Sequence, residues 1–488
     1  MTTRRDFIKG LGAGVLATTL PGISFAQGAM TPLAMPPLLD ATATGRFDLT
    51  AQAGETDFLG RSATGTWGFN QSYLGPTLRV NNKGETAAKV TNTLKEEISV
   101  HWHGALVPGT VDGGPHQPVN PGQIWKPVLP FDQPAATLWY HSHIHGKTGQ
   151  QVHNGLAGML QLSDGQDDAR GLPSAYGIDD LALVMQDRQF DWRGRADYDL
   201  SMQSRMMGFL GDTMLINGQA NTVARVPKGI VRLRLLNGSN SRVYLLSMSD
   251  GRPMFLAAVD AGILDQTVPL KQLSMGPGER AEVLVDFGNG ADVALVTAPN
   301  PNAGMMGGGM MGGGNSGNNA DMVIMPFSVD SSLPARITRM PSNLGGDMPE
   351  LPTKGAIRRS FTLDMGMGGG MMRMLGLGGS RFSINGDAMD MKVINLAIKQ
   401  GSLEHWTVSG QMMMHPFHVH GVSYQVISEN GRPPRLQNRG WKDTVLINGQ
   451  AEILMRFDLP APENLPYMYH CHILEHEDGG MMGQFTVS

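Results

Sequence analysis

Ten of the 14 histidines and the single cysteine of this 488-residue chain fall in four short segments. The segments are 101–103, 141–143, 415–420 and 470–476, so two lie in the first third of the chain and two near its end. A thiolate surrounded by imidazoles is a donor set that suits copper better than other common metals. A fold must bring the distant segments together before they can share metal ions.

The spacing within the segments predicts which side chains point the same way. Residues i and i+2 of a strand share one face, so the two histidines of each His-x-His pair project together. In the segment 470–472, Cys471 then faces one way and its flanking histidines face the other. One tripeptide can therefore serve two metal centres, which predicts an electron path between them. The four pairs are His101 and His103, His141 and His143, His418 and His420, and His470 and His472.

The residues around Cys471 are typical of one particular copper site. His476 follows five residues later, and Met481 and Met482 follow ten and eleven residues later. Two imidazoles, one thiolate and a weak axial methionine describe an electron-transfer copper site. The second imidazole must come from elsewhere, and His415 is the spare member of its segment. The eight paired histidines are then enough for three further copper ions.

A role in packing or in zinc binding fits the histidines less well. A single His-x-His pair in a strand is usually a surface or packing feature, and zinc could account for one or two pairs. Four pairs together with a His-Cys-His tripeptide, a third histidine and a methionine favour copper.

The four segments, in this order, resemble the copper segments of the multicopper oxidases, most strongly those of bacterial copper-efflux (cuprous) oxidases and bacterial laccases. The matching stretches are HWHG from His101, HSHIHGKTGQQ from His141, HPFHVHG from His415 and HCHILEHEDGGMM from His470. The resemblance implies four copper ions. It implies a type 1 copper on His415, Cys471, His476 and Met481. It implies a type 2 copper on His101 and His418. It implies a type 3 pair with His103, His141 and His472 on one ion, and His143, His420 and His470 on the other.

The resemblance also implies a reaction. A substrate gives single electrons to the type 1 copper, Cys471 and its flanking histidines pass them on, and dioxygen is reduced to two waters. That reduction consumes protons, and Asp112 and Glu477 match the proton-delivering acids of the family. For Asp112, an Asx-turn before two glycines is an alternative interpretation. The remaining histidines are not predicted to be ligands: His116, His145, His153 and His405.

The rest of the sequence predicts an all-β protein. Strand-like runs separated by Gly, Pro and Asn turns dominate, and long helical patterns are absent, as in β-sandwiches. The resemblance sharpens this to three consecutive cupredoxin-like (Greek-key β-sandwich) domains. The expected ranges are 38–168 with trinuclear ligands, 175–330 as a structural domain, and 355–488 with the type 1 copper, trinuclear ligands and a Met-rich segment.

The first 26 residues resemble an export signal. Arg4 and Arg5 precede a short apolar run over 10–20 and a small-x-small cleavage site at 24–26, which together predict a Tat signal peptide. The apolar run is too short for a membrane anchor. We therefore expect a periplasmic protein without stable membrane insertion after cleavage.

Composition limits the partners. The net charge is −5 and no basic tract occurs, so a nucleic-acid partner is not expected. One cysteine cannot form an internal disulfide, and a monomer is expected.

Methionine is unusually frequent. The chain has 34, and 18 of them lie between 305 and 414, partly in glycine-rich tracts. Thioethers are soft ligands that select Cu(I), and Met413 and Met365 are candidate ligands for a Cu(I) substrate. The alternative is low-complexity sequence without a fixed role. Where copper-efflux oxidases place acids beside such methionines, this chain has Gln411 and Gly370, which weakens an expectation of iron oxidation more than one of Cu(I) oxidation.

The leading functional prediction is a periplasmic cuprous oxidase in copper tolerance, with dioxygen as electron acceptor. The main alternative is a laccase that acts on phenols or aromatic amines. A copper store or carrier, and a structural member of the fold that has lost its copper, are non-enzymatic alternatives. The complete ligand set argues against both of these.

Overall fold

The computed structural model describes residues 30–302, 321–366 and 382–488. The predicted signal peptide and most of the two Met-rich tracts lie outside the described residues. Within the described ranges, no helix has the length and apolarity needed to cross a membrane.

The first third of the chain forms two five-stranded sheets that pack face to face. One has the strand order β2-β5-β11-β10-β7, and the other β4-β3-β6-β8 with β9 paired to β6. Burial alternates along β3, where Phe47, Leu49 and Ala51 point inward, as expected for a sandwich with one solvated face. The ten strands are β2 (Leu38–Asp40), β3 (Arg46–Thr56), β4 (Thr64–Phe69), β5 (Thr77–Asn81), β6 (Lys83–Asn92), β7 (His101–His103), β8 (Ile124–Trp125), β9 (Val128–Asp132), β10 (Ala136–His141) and β11 (Ala157–Ser163). The short strand β1 (Thr31–Pro32) precedes them and belongs to a sheet of the second sandwich.

The middle third forms a second sandwich. Its sheets have the orders β13-β12-β16-β21-β18-β19, with β14 on β12, and β1-β15-β23-β22-β17-β20. The parallel pairing of β1 with β15 ties the segment before the first sandwich to the second one. The strands are β12 (Asp180–Phe190), β13 (Ala196–Asp197), β14 (Thr213–Ile216), β15 (Thr222–Val226), β16 (Ile230–Asn237), β17 (Tyr244–Met248), β18 (Met254–Val259), β19 (Gly262–Leu270), β20 (Leu273–Met275), β21 (Arg280–Asp286), β22 (Val293–Thr297) and β23 (Met322–Val329).

The last third forms one eight-stranded sheet that folds over its own core. Its main order is β25-β24-β27-β30-β31-β26, and β29 joins β27 to β28. The 17-residue β27 shifts register against β29 between Gly410 and His415, and Met412 in this bulge has φ 73°. Bulges re-aim the side chains that follow them. The strands are β24 (Ile357–Asp364), β25 (Ser383–Ile384), β26 (Leu396–Ile398), β27 (Leu403–Val419), β28 (Tyr424–Glu429), β29 (Thr444–Arg456), β30 (Tyr467–Cys471) and β31 (Met482–Val487).

Helices are few and short in the described part of the chain. They are α1 (Thr148–His153), α2 (Met202–Met207) and α3 (Leu474–Asp478), with 3-10 turns at Gly109–Val111 and Leu436–Asn438. Each α-helix comes from a different third of the chain, and α3 packs against both α1 and α2. The all-β prediction is confirmed, whereas the boundaries 38–168, 175–330 and 355–488 stay predictions.

Candidate copper centres

The strand register places histidines of the four pairs opposite one another on neighbouring strands of two sheets. In the first sandwich, β7 and β10 are antiparallel and His101 lies opposite His141. In the third, β27 and β30 are antiparallel and His418 lies opposite His470. Directly opposed residues of antiparallel strands are neighbours. Ligand atoms from both ends of the chain lie within 4.8 Å of one another, so the paired histidines meet between the first and third sandwiches.

His101 and His418 form the first candidate site. The Nδ1 of His101 lies 3.0 Å from the carbonyl oxygen of Asp112, and the Nδ1 of His418 lies 2.8 Å from that of Asp443. A carbonyl only accepts, so each Nδ1 carries the ring proton and each Nε2 keeps a lone pair. The two Nε2 atoms are 3.5 Å apart. Two lone pairs that face each other need a cation between them, and these residues fit a metal ion.

A second group has the same arrangement. The Nε2 of His470 lies 3.3 Å from the Nε2 atoms of both His143 and His420. On the outer side, His420 Nδ1 donates to Asp112 Oδ2 at 2.8 Å and His470 Nδ1 donates to the carbonyl of Cys471 at 3.1 Å. In His420 and His470 the ring protons again point away from the centre, and their bare Nε2 atoms point into it.

The third group contains His103, His141 and His472, whose ligand atoms lie within 4.8 Å of one another. His141 Nδ1 donates to the carbonyl of Ser142 at 2.9 Å, and His103 Nε2 lies 3.0 Å from Thr444 Oγ1. The other ring nitrogens, and both nitrogens of His472, are buried without a hydrogen-bond partner among the described residues. A buried polar atom without a partner is costly, and a metal ion would satisfy all three rings.

Burial also keeps four of these imidazoles in the form that binds metal. The eight paired histidines are at most 1% exposed. Removal from water, with repulsion between neighbouring imidazoles, lowers the pKa of His103 and His141 well below the usual range. Burial lowers the pKa of His143 to about 4 and that of His472 to about 3. These four rings are therefore neutral near pH 7, and their lone pairs are available.

A separate group surrounds the cysteine. Cys471 Sγ lies 3.5 Å from His415 Nδ1 and 3.7 Å from His476 Nδ1, and all three side chains are buried. Burial raises the pKa of the Cys471 thiol, so a thiolate at this position requires a cation. The outer Nε2 atoms face backbone carbonyls: that of Gln411 at 3.4 Å for His415, and that of Met206 at 2.9 Å for His476.

Three predicted methionines lie in the hydrophobic core that contains Cys471. Met481 is fully buried; its N–H donates to the carbonyl of His476, and its carbonyl accepts from the N–H of Cys471. Met413 and Met365 are 5% and 8% exposed in the same core. The chain therefore places Met481 next to the cysteine, as an axial ligand requires, and the two candidate substrate methionines beneath the surface.

The tripeptide at 470–472 connects these groups. His470 belongs to the group with His143, and His472 belongs to the group with His141, while Cys471 faces His415. The alternation expected for an extended segment is present here. One peptide unit on either side of Cys471 separates the candidate site of Cys471, His415 and His476 from the histidine groups.

The two predicted acids contact the outer nitrogens of one histidine group. Glu477 Oε1 lies 3.4 Å from His143 Nδ1, and its Oε2 lies 3.2 Å from His470 Nδ1. Asp112 Oδ2 contacts His420, and Asp112 Oδ1 has no partner among the described residues. The Asp112 side chain is thus aimed at a histidine rather than at the turn that follows it. Both carboxylates are 1% exposed.

Sequence reasoning missed residues that hold the rings in place. Asp443 contacts His103 Nε2 through its carboxylate at 3.1 Å, and Thr444 contacts both His103 and His418. Thr444 begins β29 and Asp443 directly precedes it, and no spacing pattern relates these two residues to the histidine segments. The four histidines that are not predicted as ligands lie outside the groups. His116 contacts Gln484, His405 contacts Glu452, His153 packs on Tyr198 and Phe209, and His145 is exposed.

Comparison with known proteins defines the class. Two family models, both described as multicopper oxidase, match residues 50–167 and 361–488. The chain belongs to the multicopper oxidase family. The predicted family and the predicted cupredoxin-like fold are confirmed, and membership implies that the protein binds copper.

Solved structures similar to this chain include a laccase-like multicopper oxidase, CueO, from Ochrobactrum sp. The identity is 41%, the TM-score is 0.86, and the match covers 94% of this chain and all of that one. That enzyme is described as having oxidase activity towards lignin model compounds. A laccase from Pediococcus acidilactici is 32% identical, with a TM-score of 0.79 and 95% of both chains covered.

Curated relatives carry a different name. The cell division protein FtsP of Xenorhabdus nematophila is 36% identical over 487 residues, which span all of this chain and 98% of that protein. FtsP of Escherichia coli K12 is also 36% identical, over 489 residues, covering all of this chain and 99% of that protein. The family thus includes relatives named for oxidation and relatives named for division.

Proposed function

We propose that this chain is an oxidase that couples one-electron oxidation of Cu(I) to the four-electron reduction of dioxygen to water. The observation that carries the proposal is the outward orientation of the ring protons, which leaves facing lone pairs in the buried histidine groups. Without a cation between them, buried imidazoles whose lone pairs face each other would destabilise the fold. A purely structural member of the fold would gain stability by replacing them with apolar side chains.

We assign four copper ions to the groups. A type 1 ion would be held by His415, Cys471, His476 and Met481. A type 2 ion would be held by His101 and His418. A type 3 pair would be held by His103, His141 and His472, and by His143, His420 and His470. When bound, these ions would supply the one-electron acceptor and the site at which dioxygen is reduced.

The protein itself positions the ligands and excludes water from the candidate copper sites. The segment 470–472 provides a short covalent route from the thiolate to both histidine groups. Asp112 accepts the Nδ1 proton of His420, and the carbonyl of Cys471 accepts that of His470, which keeps the opposite nitrogens free. The Glu477 carboxylate lies 3.2 Å from the same nitrogen of His470. We propose that the same two carboxylates deliver protons to the reduction of dioxygen.

The residues around the candidate type 1 site favour Cu(I) as the substrate. The outer nitrogen of His476 is covered by the carbonyl of Met206, and the His476 ring is stacked on Phe382 with centroids 4.4 Å apart. The ring is fully buried, so a bulky phenol has no direct contact with it. A single ion bound by nearby thioethers needs much less space.

Oxygen uptake tests the substrate assignment. We expect copper-loaded protein to consume oxygen faster with Cu(I) than with a dimethoxyphenol, and added Cu(II) to leave this order unchanged. A laccase is the second candidate, because the 41% identical Ochrobactrum enzyme is described as acting on lignin model compounds. Faster turnover of the phenol without added copper would replace the cuprous oxidase proposal with a laccase.

The name of the curated relatives motivates a genetic test. We expect a Cys471→Ser strain to become copper-sensitive while its cells divide at normal length. A deletion strain that forms filaments, and that Cys471→Ser restores to normal division, would contradict oxidation as the physiological role. It would instead favour the division role that the relatives' name carries.

We also propose that the chain acts as a periplasmic monomer exported by the Tat route. The support is the twin Arg4 and Arg5 before the short apolar run. Replacing both arginines by lysine should leave the protein in the cytoplasm, as measured by cell fractionation. Unchanged export of that variant would refute the Tat route.

A further inference from the structure

The helix α2 of the second sandwich lies directly on the candidate type 1 site. The carbonyl oxygen of Met206 accepts a hydrogen bond from His476 Nε2 at 2.9 Å. The helix begins at the cap Ser201, whose hydroxyl accepts from the N–H of Ser204 at 3.0 Å. Past its end, Gly208 has φ 86°, and the N–H of Phe209 donates to Glu475 Oε2 at 2.9 Å. Glu475 is the residue before His476, so α2 is fixed to the segment that carries this histidine.

The methionines of α2 differ sharply in exposure. Met207 packs against the core that contains Cys471. Met202 is 70% exposed, and Met206 is half-buried. Positions i and i+4 are neighbours on one side of a helix, so the thioethers of Met202 and Met206 can approach each other. Burial explains Met207, but it does not explain a methionine that remains largely in water.

The two methionines predicted from the sequence as Cu(I) ligands are too deeply buried to be the first contact of an ion that arrives from solvent. Met365 and Met413 are 8% and 5% exposed, within the core. A Cu(I) ion arriving from solvent must first contact thioethers at the surface. Met202 provides such a thioether, and Met206 links it through its own peptide group to the outer edge of His476.

We propose that Met202 and Met206 form a Cu(I)-binding site that is the electron entry to the type 1 centre. The inference rests on the proposed oxidase function and names its substrate site. Cu(I) bound by the two thioethers would give up one electron through the Met206 carbonyl and the His476 Nε2–H, and a type 1 copper held by His476 would be reduced by one electron. The ion leaves as Cu(II), because thioethers are poor ligands for this harder ion. No proton is transferred, and the two Cu–S coordinate bonds break as the ion leaves.

Binding is tested with Ag(I), a soft ion that cannot be oxidised under these conditions. Copper-loaded protein labelled with 13C at the methionine methyl groups is titrated with Ag(I) and followed by NMR. Met202→Leu and Met206→Leu assign the two signals, since leucine keeps volume and apolarity but has no sulfur. We expect both signals to shift together at low Ag(I). Signals that stay unmoved while other methionine methyl groups shift would overturn the proposal.

Electron entry is tested by the bleaching of the blue absorption without oxygen. The variant Met202→Leu/Met206→Leu should be reduced by Cu(I) about tenfold more slowly, the effect of roughly 1.4 kcal/mol in binding. Its reduction by a dimethoxyphenol should not be slowed. The control is Met348→Leu, which removes another surface methionine, 38% exposed. Equal slowing in the control would overturn the site.

The two proposals fail in different ways. If Ag(I) shifts both methyl signals but wild-type protein does not oxidise Cu(I), the site is a copper-binding site and the oxidase proposal is wrong. If wild-type protein oxidises Cu(I) and the double variant does so equally fast, the oxidase proposal stands and the entry site is wrong.

Discussion

The Arg280 guanidinium donates hydrogen bonds to both carboxylate oxygens of Asp443, and both residues are buried. The same carboxylate lies 3.1 Å from His103 Nε2. Arg280 begins β21 in the second sandwich, Asp443 precedes β29 in the third, and His103 ends β7 in the first. One buried contact therefore joins all three sandwiches at the edge of the candidate trinuclear site.

Other buried charges extend this contact. Lys442 bonds to Asp260 and Glu279, each at 2.9 Å, and Arg280 lies 3.7 Å from Asp260. The middle sandwich supplies no histidine to the copper groups. It nevertheless supplies the Arg280 cation that holds Asp443 against His103, so its structural role includes positioning of a predicted ligand.

Arg280→Met should destabilise the protein and loosen this ligand. Removing one partner of a buried ion pair leaves an uncompensated charge, which costs about 3–5 kcal/mol. We expect a loss of that order in the free energy of unfolding, measured by denaturant titration, together with a lower copper content. The matched control is Arg456→Met, which breaks an ion pair with Asp458 whose side chains are about 60% exposed. That loss should be below about 1 kcal/mol, and equal losses would contradict the positioning role.

Cys471→Ser should abolish the blue colour and the oxidation of every substrate. The change removes the thiolate and the electron route, but the eight paired histidines and their outer hydrogen bonds stay in place. Copper content should therefore fall by about one ion of the four assigned, which elemental analysis can measure. If the variant kept its blue absorption, the assignment of the type 1 site would be wrong.

The sequence predicted the candidate copper ligands better than it predicted the residues that position these ligands. Histidines two apart in strands share a face, so the donor groups followed from spacing and from the resemblance. Asp443, Arg280 and Glu475 have no such signal, because their contacts depend on how three sandwiches pack. The contact of Met206 with His476 is made by a backbone carbonyl, which no side-chain pattern can reveal.

Asp112→Asn should slow the reduction of dioxygen and leave reduction of the type 1 copper by substrate intact. The carboxylate accepts from His420 Nδ1 at 2.8 Å, and an amide of the same size cannot deliver a proton. Stopped-flow measurement of the two half-reactions separates these steps. Normal reoxidation by dioxygen with full copper content would leave Asp112 with a purely structural role.

Met481→Leu should raise the reduction potential of the type 1 copper without unfolding the protein. Met481 is fully buried, and its backbone bonds to both His476 and Cys471. Leucine fills a similar volume, so the free energy of unfolding should change by less than about 1.5 kcal/mol. Loss of the axial ligand lowers the coordination number of the copper, which favours Cu(I) over Cu(II), and the axial ligand tunes the potential of such sites. Redox titration of the blue absorption measures the shift, and Met482→Leu, the adjacent buried methionine, is the control. A shift in the control and none in Met481→Leu would transfer the axial assignment to Met482.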